Sequence, residues 1–288
     1  MTGPVVVGLD DSPASVTAAR WGAGEAAARH LPLVLLHSWT TQPLDVPVPQ
    51  EGHAQEQYGR DLLQRTAAEL LARHGELVLS TELVAASATQ ALLDSGRSAS
   101  ILVLGSRGHG SVASFLLGSV SMHVLGLTPC PAVAVRADAP DVEAGWGRPL
   151  IQDHDEVVVG LHESGAAAEP LLEFAFTTAA SHGARVRAVR AMPLSSLVTD
   201  PREDFAAEER ERLAEVLAPW REKFPDVPVV RAVATGAAAQ VLLTACAHGC
   251  LTVVGRRRHP SHLTWKLGPV THAALHHVAC PVAVVPHD

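Results

Sequence analysis

The feature that most limits the possible folds is that the chain is written twice. Val5-Val6-Val7-Gly8-Leu9 returns as Val157-Val158-Val159-Gly160-Leu161. Leu102-Val103-Leu104-Gly105 returns as Thr252-Val253-Val254-Gly255, and Leu117-Gly118 as Leu267-Gly268. Cys130-Pro131-Ala132-Val133 returns as Cys280-Pro281-Val282-Ala283. Four matches in the same order mean that a whole domain is duplicated, at a period too long for a solenoid. The 288 residues suit two domains of ordinary size better than one. We place the first at 1–138, a linker at 139–154 and the second at 155–288.

Each copy alternates short apolar runs with Ala-rich amphipathic segments. In the first copy the runs are 4–9, 33–38, 78–84, 101–105 and 131–136. The helical patterns are 13–29, 55–74, 87–96 and 117–127. Strands that are apolar on both faces and separated by helices predict a parallel sheet covered on both sides. The expected fold class is therefore α/β, with two doubly wound, five-stranded, Rossmann-like domains in tandem. Two polar insertions, 40–54 and 192–204, follow the second strand of each copy and are expected to be loops. Loops of that length often act as lids or binding loops.

Composition removes several functions. The net charge of -8 argues against sequence-independent nucleic-acid binding, which needs cationic side chains to displace counterions. No apolar stretch approaches the ~20 residues of a membrane span, and the first residues do not read as a signal peptide. Four cysteines make no disulfide framework and predict a reducing cytoplasm.

The candidate site is the stretch 105–121, GSRGHGSVASFLLGSVS, between an apolar run and a helical pattern. It sits at the carboxyl end of a parallel strand, where open α/β sheets bind ligands. Glycines let backbone approach a ligand closely, and freed N–H groups can cradle an anion. The helix beginning near Gly118-Ser119 adds its unpaired N–H groups and dipole. Ser119 and Ser121 can donate hydroxyls. The residues thus read as a phosphate cradle without a lysine. A plain strand-to-helix connection with Ser119 as N-cap accounts for the same residues.

The spacing Gly105-x2-Gly108-x9-Gly118-Ser119 resembles the signature of the ATP-binding branch of the universal stress protein family. Val7-Gly8-Leu9-Asp10-Asp11-Ser12-Pro13 resembles that family's first strand and turn, His37-Ser38-Trp39 the end of its second strand, and Cys130-Pro131 the entry to its fifth. The resemblance covers both copies and implies a tandem universal stress protein, adenine nucleotide α-hydrolase-like in fold, with a regulatory stress-response role. It implies ATP as ligand, with Mg2+ as its accompanying ion. Asp10, flanked by Gly8 and Leu9, would accept hydrogen bonds from adenine or ribose, and the Ser38 backbone would meet the adenine edge. Gly105, Gly108, Gly118, Ser119, Val120 and Ser121 would hold the phosphates, with Arg107 and His109 as further loop candidates. Asp10 also fits a second reading, as a cap on the helix starting near Pro13. Where the family carries Gly-x-Pro before its third helix, the first copy reads Ala86-Ser87-Ala88, and the second keeps Gly236 but has Ala238.

The second copy departs at three positions. His162 stands in place of Asp10, Arg258 in place of Gly108 and Pro269 in place of Ser119. A carboxylate, a tight turn, a hydroxyl and an N–H are lost together. This copy is expected to bind ATP weakly or not at all, although Arg256, Arg257 and Arg258 offer a cationic run. No catalytic residue is assigned, because 105–121 holds no carboxylate and no lysine; His109 is the one candidate base for a weak ATPase. No metal site is assigned to His259, His262, His272, His276 and His277 or to Cys246 and Cys250. Cys130 and Cys280 are expected in the core.

The partners expected are an adenine nucleotide, a regulatory protein and a second copy in a homodimer. Pro131–Arg136 and Pro281–Pro286 would each leave a bare sheet edge. The resemblance implies that these last strands pair, joining the two domains within the chain. Each copy expressed alone is then expected to dimerise; monomeric halves in light scattering would contradict this.

Overall fold

The computed structural model describes residues 3–39, 49–106, 117–137, 156–162, 165–192, 204–258 and 267–288. The chain divides into two compact units, Met1–Glu143 and Ala144–Asp288. The linker 139–154 and the centres of both polar insertions lie outside the described residues.

Unit 1 holds β1 (Val5–Leu9), α1 (Pro13–Ala28), β2 (Leu33–Ser38), α2 (Pro49–Arg73), β3 (Leu79–Val84), α3 (Ala88–Ser95), β4 (Ile101–Ser106), α4 (Ser119–Leu127) and β5 (Ala132–Arg136). Its strands lie parallel in the order β3-β2-β1-β4-β5. Unit 2 repeats the plan with β6 (Glu156–Gly160), α5 (Glu169–His182), β7 (Arg185–Met192), α6 (Asp204–Lys223), β8 (Val229–Thr235), α7 (Ala238–Ala245), β9 (Leu251–Arg257), α8 (Pro269–His277) and β10 (Val282–His287). Its order is β8-β7-β6-β9-β10.

Ile101, Leu102 and Val103 on β4 are all fully buried. Consecutive strand residues point to opposite faces, so both faces of the sheet are covered. Adjacent residues on β1 show by which helices. A Cβ on Gly22 of α1 would lie 2.6 Å from Val7 Cγ2, whereas one on Gly8 would meet Leu92 of α3 at 3.0 Å. The apolar runs are strands for this reason: each fully buried Val or Leu contributes about 1.5–3 kcal/mol only if both layers are present. The edge strand β3 differs, with Ser80, Thr81 and Glu82 exposed.

One boundary departs from expectation. The sequence pattern predicts loop over 40–54, but α2 begins at Pro49, so the last residues of that insertion are helical. Proline suits the first turn of a helix, where its missing N–H has no partner to lose.

Gly22 allows α1 to lie close on β1. Gly22→Val is expected to lower stability by about 1–3 kcal/mol. The readout is a lower urea midpoint at unchanged slope.

Candidate functional site

In unit 1 the chain runs outward from β1 through β2 to β3, then returns to β4 on the other side of β1. The reversal between β1 and β4 leaves a crevice beyond their carboxyl ends. The register of β1 with β2 ends at Leu9 and His37, so the Ser38 backbone lies beyond the last pair. The buried His37 ring fixes this corner, its Nδ1 donating to the Leu9 carbonyl at 2.8 Å. Ser38 Oγ donates to the Ala86 carbonyl. Ser87 then caps α3, its Oγ accepting from Gln90 N at 3.3 Å. Ser87, the middle residue of the Ala86-Ser87-Ala88 stretch that stands where the family has Gly-x-Pro, thus supplies the helix cap.

Asp10 is exposed just past β1. Its Oδ1 accepts from the Ser12 N–H at 3.1 Å and from the Ser12 hydroxyl. Ser12 is also the N-cap of α1, its Oγ accepting from Ser15 N at 3.2 Å. The capping role therefore falls to Ser12, and Asp10 is braced by the cap instead of serving as it. Asp11 turns the chain in the left-handed region with φ 64°, a conformation in which aspartate is enriched.

Two further residues reach this turn from α2, and the sequence motifs did not reveal them. The Tyr58 hydroxyl donates to Asp11 Oδ2, and Arg65 Nη2 stands 3.7 Å from the same oxygen. The bond to Asp11 raises the Tyr58 pKa above its ordinary value. Gly59 lies beside them, where a Cβ would come within 2.6 Å of the His37 ring. The signal in the sequence was faint: the chain's one tyrosine next to a glycine on a helix.

Across the crevice, Gly105 sits where a Cβ would stand 2.6 Å from the Ala14 carbonyl carbon and the Ser15 nitrogen. Its glycine is thus demanded by the packing of α1. Ser121 Oγ donates to the Gly105 carbonyl at 3.2 Å, tying α4 to the end of β4. The N-cap of α4 is Gly118, not Ser119, and it supplies no side-chain cap. The first-turn N–H groups of Ser119, Val120 and Ser121 thus have no capping side chain, with Ser119 and Val120 exposed. Arg107, Gly108 and His109 lie outside the described residues.

Unit 2 forms a cavity of about 530 Å³ at the matching place. His162 lines it where unit 1 has Asp10, and Gly268, Pro269 and Thr271 line it where unit 1 has Gly118, Ser119 and Ser121. Thr271 Oγ1 donates to the Gly255 carbonyl at 2.9 Å, repeating the Ser121 tie. Gly236 holds φ at 151°, a conformation that only glycine adopts readily, ahead of α7. A second cavity of about 560 Å³ lies between the β7–β8 side of the sheet and α7. Its wall includes the buried Glu156, bracketed by Arg185 and by Arg187 at 2.6 Å. We read that ion pair as structural.

His272 and His276 stack with ring centroids 4.0 Å apart. Burial, and then the neighbouring His276 and His277, hold the His272 pKa below its ordinary value. Among the described residues, no three His, Cys, Asp or Glu side chains gather as a metal group. No described helix is long and apolar enough to cross a membrane.

The Universal stress protein family model matches residues 1–136 and 154–286. A universal stress protein of Mycobacterium tuberculosis (strain ATCC 25618 / H37Rv) is 34% identical over 294 residues, covering 97% of this chain and 96% of that protein. A second from the same strain is 30% identical over 290 residues, covering 97% and 95%. A crystal structure of a universal stress protein from Archaeoglobus fulgidus shares the fold at TM-score 0.73 and 16% identity, covering 99% and 98%. The chain belongs to the universal stress protein family, with two copies of its domain in tandem.

All four cysteines are free and buried, as expected for Cys130 and Cys280. Burial pushes the Cys246 thiol up to about 11, against a hydrogen bond from Thr252 that lowers it. A thiol with a raised pKa is protonated, and so unreactive, at neutral pH. In the native chain Cys246 is expected to alkylate roughly 100-fold more slowly than in denaturant. Iodoacetamide labelling read by peptide mass spectrometry checks this.

Proposed function

We propose that this protein is a nucleotide-responsive regulator acting in the cytoplasm, with ATP held by unit 1. The observation that carries the reading is the exposed Asp10 carboxylate just past β1 at the β1/β4 switch point, together with α4, which follows β4 in the chain and begins without a side-chain cap. A carboxylate acceptor suits the donor edges of adenine and ribose, and a helix N-terminus suits phosphate. The residues present therefore fit the nucleotide. Gly8 and Leu9 would shape the base end, where Leu92 and Leu104 close around Gly8, and the Ser38 backbone would meet the adenine. Ser119, Val120 and Ser121 would donate N–H groups to phosphate. Gly105 and Gly118, with Arg107, Gly108 and His109 from outside the described residues, complete the set carried over from the motif.

ATP itself would supply the charge that the uncapped helix end can meet, with Mg2+ as its accompanying ion. No residue is given a catalytic role. Function then lies in a difference of surface between the nucleotide-bound and free chains, read by a protein partner. Four buried free thiols support a reducing compartment.

The experiment is calorimetry on the intact chain. One ATP per chain is expected. Asp10→Ala should weaken it by roughly 1–3 kcal/mol, and Gly118→Val should weaken it further by crowding the helix end. Unchanged affinity in both variants would overturn the assignment, as would two nucleotides per chain for its restriction to unit 1.

A further inference from the structure

Two consecutive residues of α2, Tyr58 and Gly59, reach both neighbours of Asp10. Gly59 seats the helix on β2: a Cβ there would stand 2.6 Å from the His37 ring and 2.7 Å from Leu83 Cδ1. His37 in turn donates from Nδ1 to the Leu9 carbonyl at 2.8 Å. On the other side, the Tyr58 hydroxyl donates to Asp11 Oδ2. Leu9 and Asp11 are thus tied to one step of a distant helix.

The turn they enclose needs holding. Asp11 sits at φ 64°, a conformation that L residues adopt at a cost. Such a residue persists where its surroundings fix it. Asp10 is exposed, so its direction follows from the turn and not from core packing. Its Oδ1 accepts from the Ser12 N–H at 3.1 Å, and its own N–H donates to Ser15 Oγ at 3.3 Å. Held between the two ties, Asp10 takes its position from Leu9 and Asp11. Arg65 also faces Asp11, at 3.7 Å, but its side chain is 63% exposed, and a pair so open to water is worth little. The Tyr58 hydroxyl is the stronger tie, because it bonds a charged acceptor directly.

Unit 2 fills the corresponding places differently. With the ends of α2 and α6 matched, Arg73 to Lys223, Glu208 stands for Tyr58 and Glu209 for Gly59. Arg190 follows Val189, the partner of Gly160, as His37 follows Leu36, the partner of Gly8. Arg190 and Glu209 pair at 2.9 Å, and Glu208 faces Arg212 of its own helix at 3.6 Å. Unit 2 keeps the same fold with a glutamate there, so the fold does not require the tyrosine. The tyrosine accompanies Asp10 and is replaced where His162 stands for that carboxylate.

We propose that Tyr58 is a positioning residue for the nucleotide: by holding Asp11 it aims the Asp10 carboxylate, and so couples ATP binding to α2. This rests on the reading of unit 1 as the ATP site. Coupling is reciprocal, so ATP steadies the part of α2 around Tyr58.

The test is calorimetry of ATP on the intact chain with Tyr58→Phe, which removes one oxygen from an exposed side chain. Affinity is expected to fall roughly fivefold, with the thermal unfolding midpoint near that of the parent. The decisive measurement is the same substitution in an Asp10→Ala background. If Tyr58 acts through Asp10, losing its hydroxyl there costs no further affinity, whereas a general loosening of unit 1 weakens both backgrounds alike. Amide exchange gives a second readout: ATP is expected to slow exchange over residues 56–60 in the parent, and less so in Tyr58→Phe. Unchanged affinity in Tyr58→Phe, with Asp10→Ala still weakened, would overturn the proposal and leave the ATP site standing. So would a loss from Tyr58→Phe that persists in full in the Asp10→Ala background. A parent chain that binds no ATP would overturn the reading beneath the proposal, and the proposal with it.

Discussion

The geometry of unit 1 depends on how closely α1 lies on the sheet. Gly22 brings the middle of the helix onto Val7, and Gly105 brings its first turn onto the end of β4. These two contacts fix the helix at both levels. They also set where the β1–α1 turn emerges, and that turn carries Asp10, Asp11 and Ser12. A side chain at either glycine would lift the helix and carry the carboxylate away from β4. Packing and site are therefore one constraint. Gly105 belongs to a recognisable binding pattern, yet the contact that requires a glycine there is with the protein's own backbone.

Much of this fold was legible because the strands are buried on both faces. Continuous apolar runs such as Ile101-Leu102-Val103-Leu104 have sharp ends, and the strand limits fall within a residue of those read from the sequence. Helix α2 was harder to read. Its opening residues, PQEGH, are polar and lack periodicity, so nothing apolar marks the helix until later. At the site, the pattern gave Asp10 and Ser121 but not what they touch. Ser12 serves both as cap of α1 and as brace for Asp10, a double role that depends on the turn at Asp11. Tyr58 and Arg65 come from a distant helix, and only the folded chain brings them to Asp11.

The two units show how one scaffold can part from its own copy. The strand order, the contact of Gly8 with Leu92 and of Gly160 with Leu242, and the tie from α4 or α8 back to the sheet are common to both. Three changes fall at or just beyond the strand ends. There a carboxylate has become an imidazole, a serine a proline, and the buried Ser106 the buried Arg256. The cavity that results could not be read from the motif. It arises from small residues, among them Ala167, Ala168 and Ala238, that belong to no pattern and matter by the volume they omit.

The hydroxyl that closes the loop bears on how such patterns should be weighed. Ser121 and Thr271 make the same bond to equivalent carbonyls, Gly105 and Gly255, in two units that differ at the neighbouring positions. Its persistence follows from the need to anchor a helix to a strand, and that need is indifferent to any ligand. A search that scores this position as a vote for nucleotide binding is counting scaffolding as function. The positions that discriminate are those where the chemistry changes while the scaffold does not, such as the one held by Asp10 in one unit and His162 in the other.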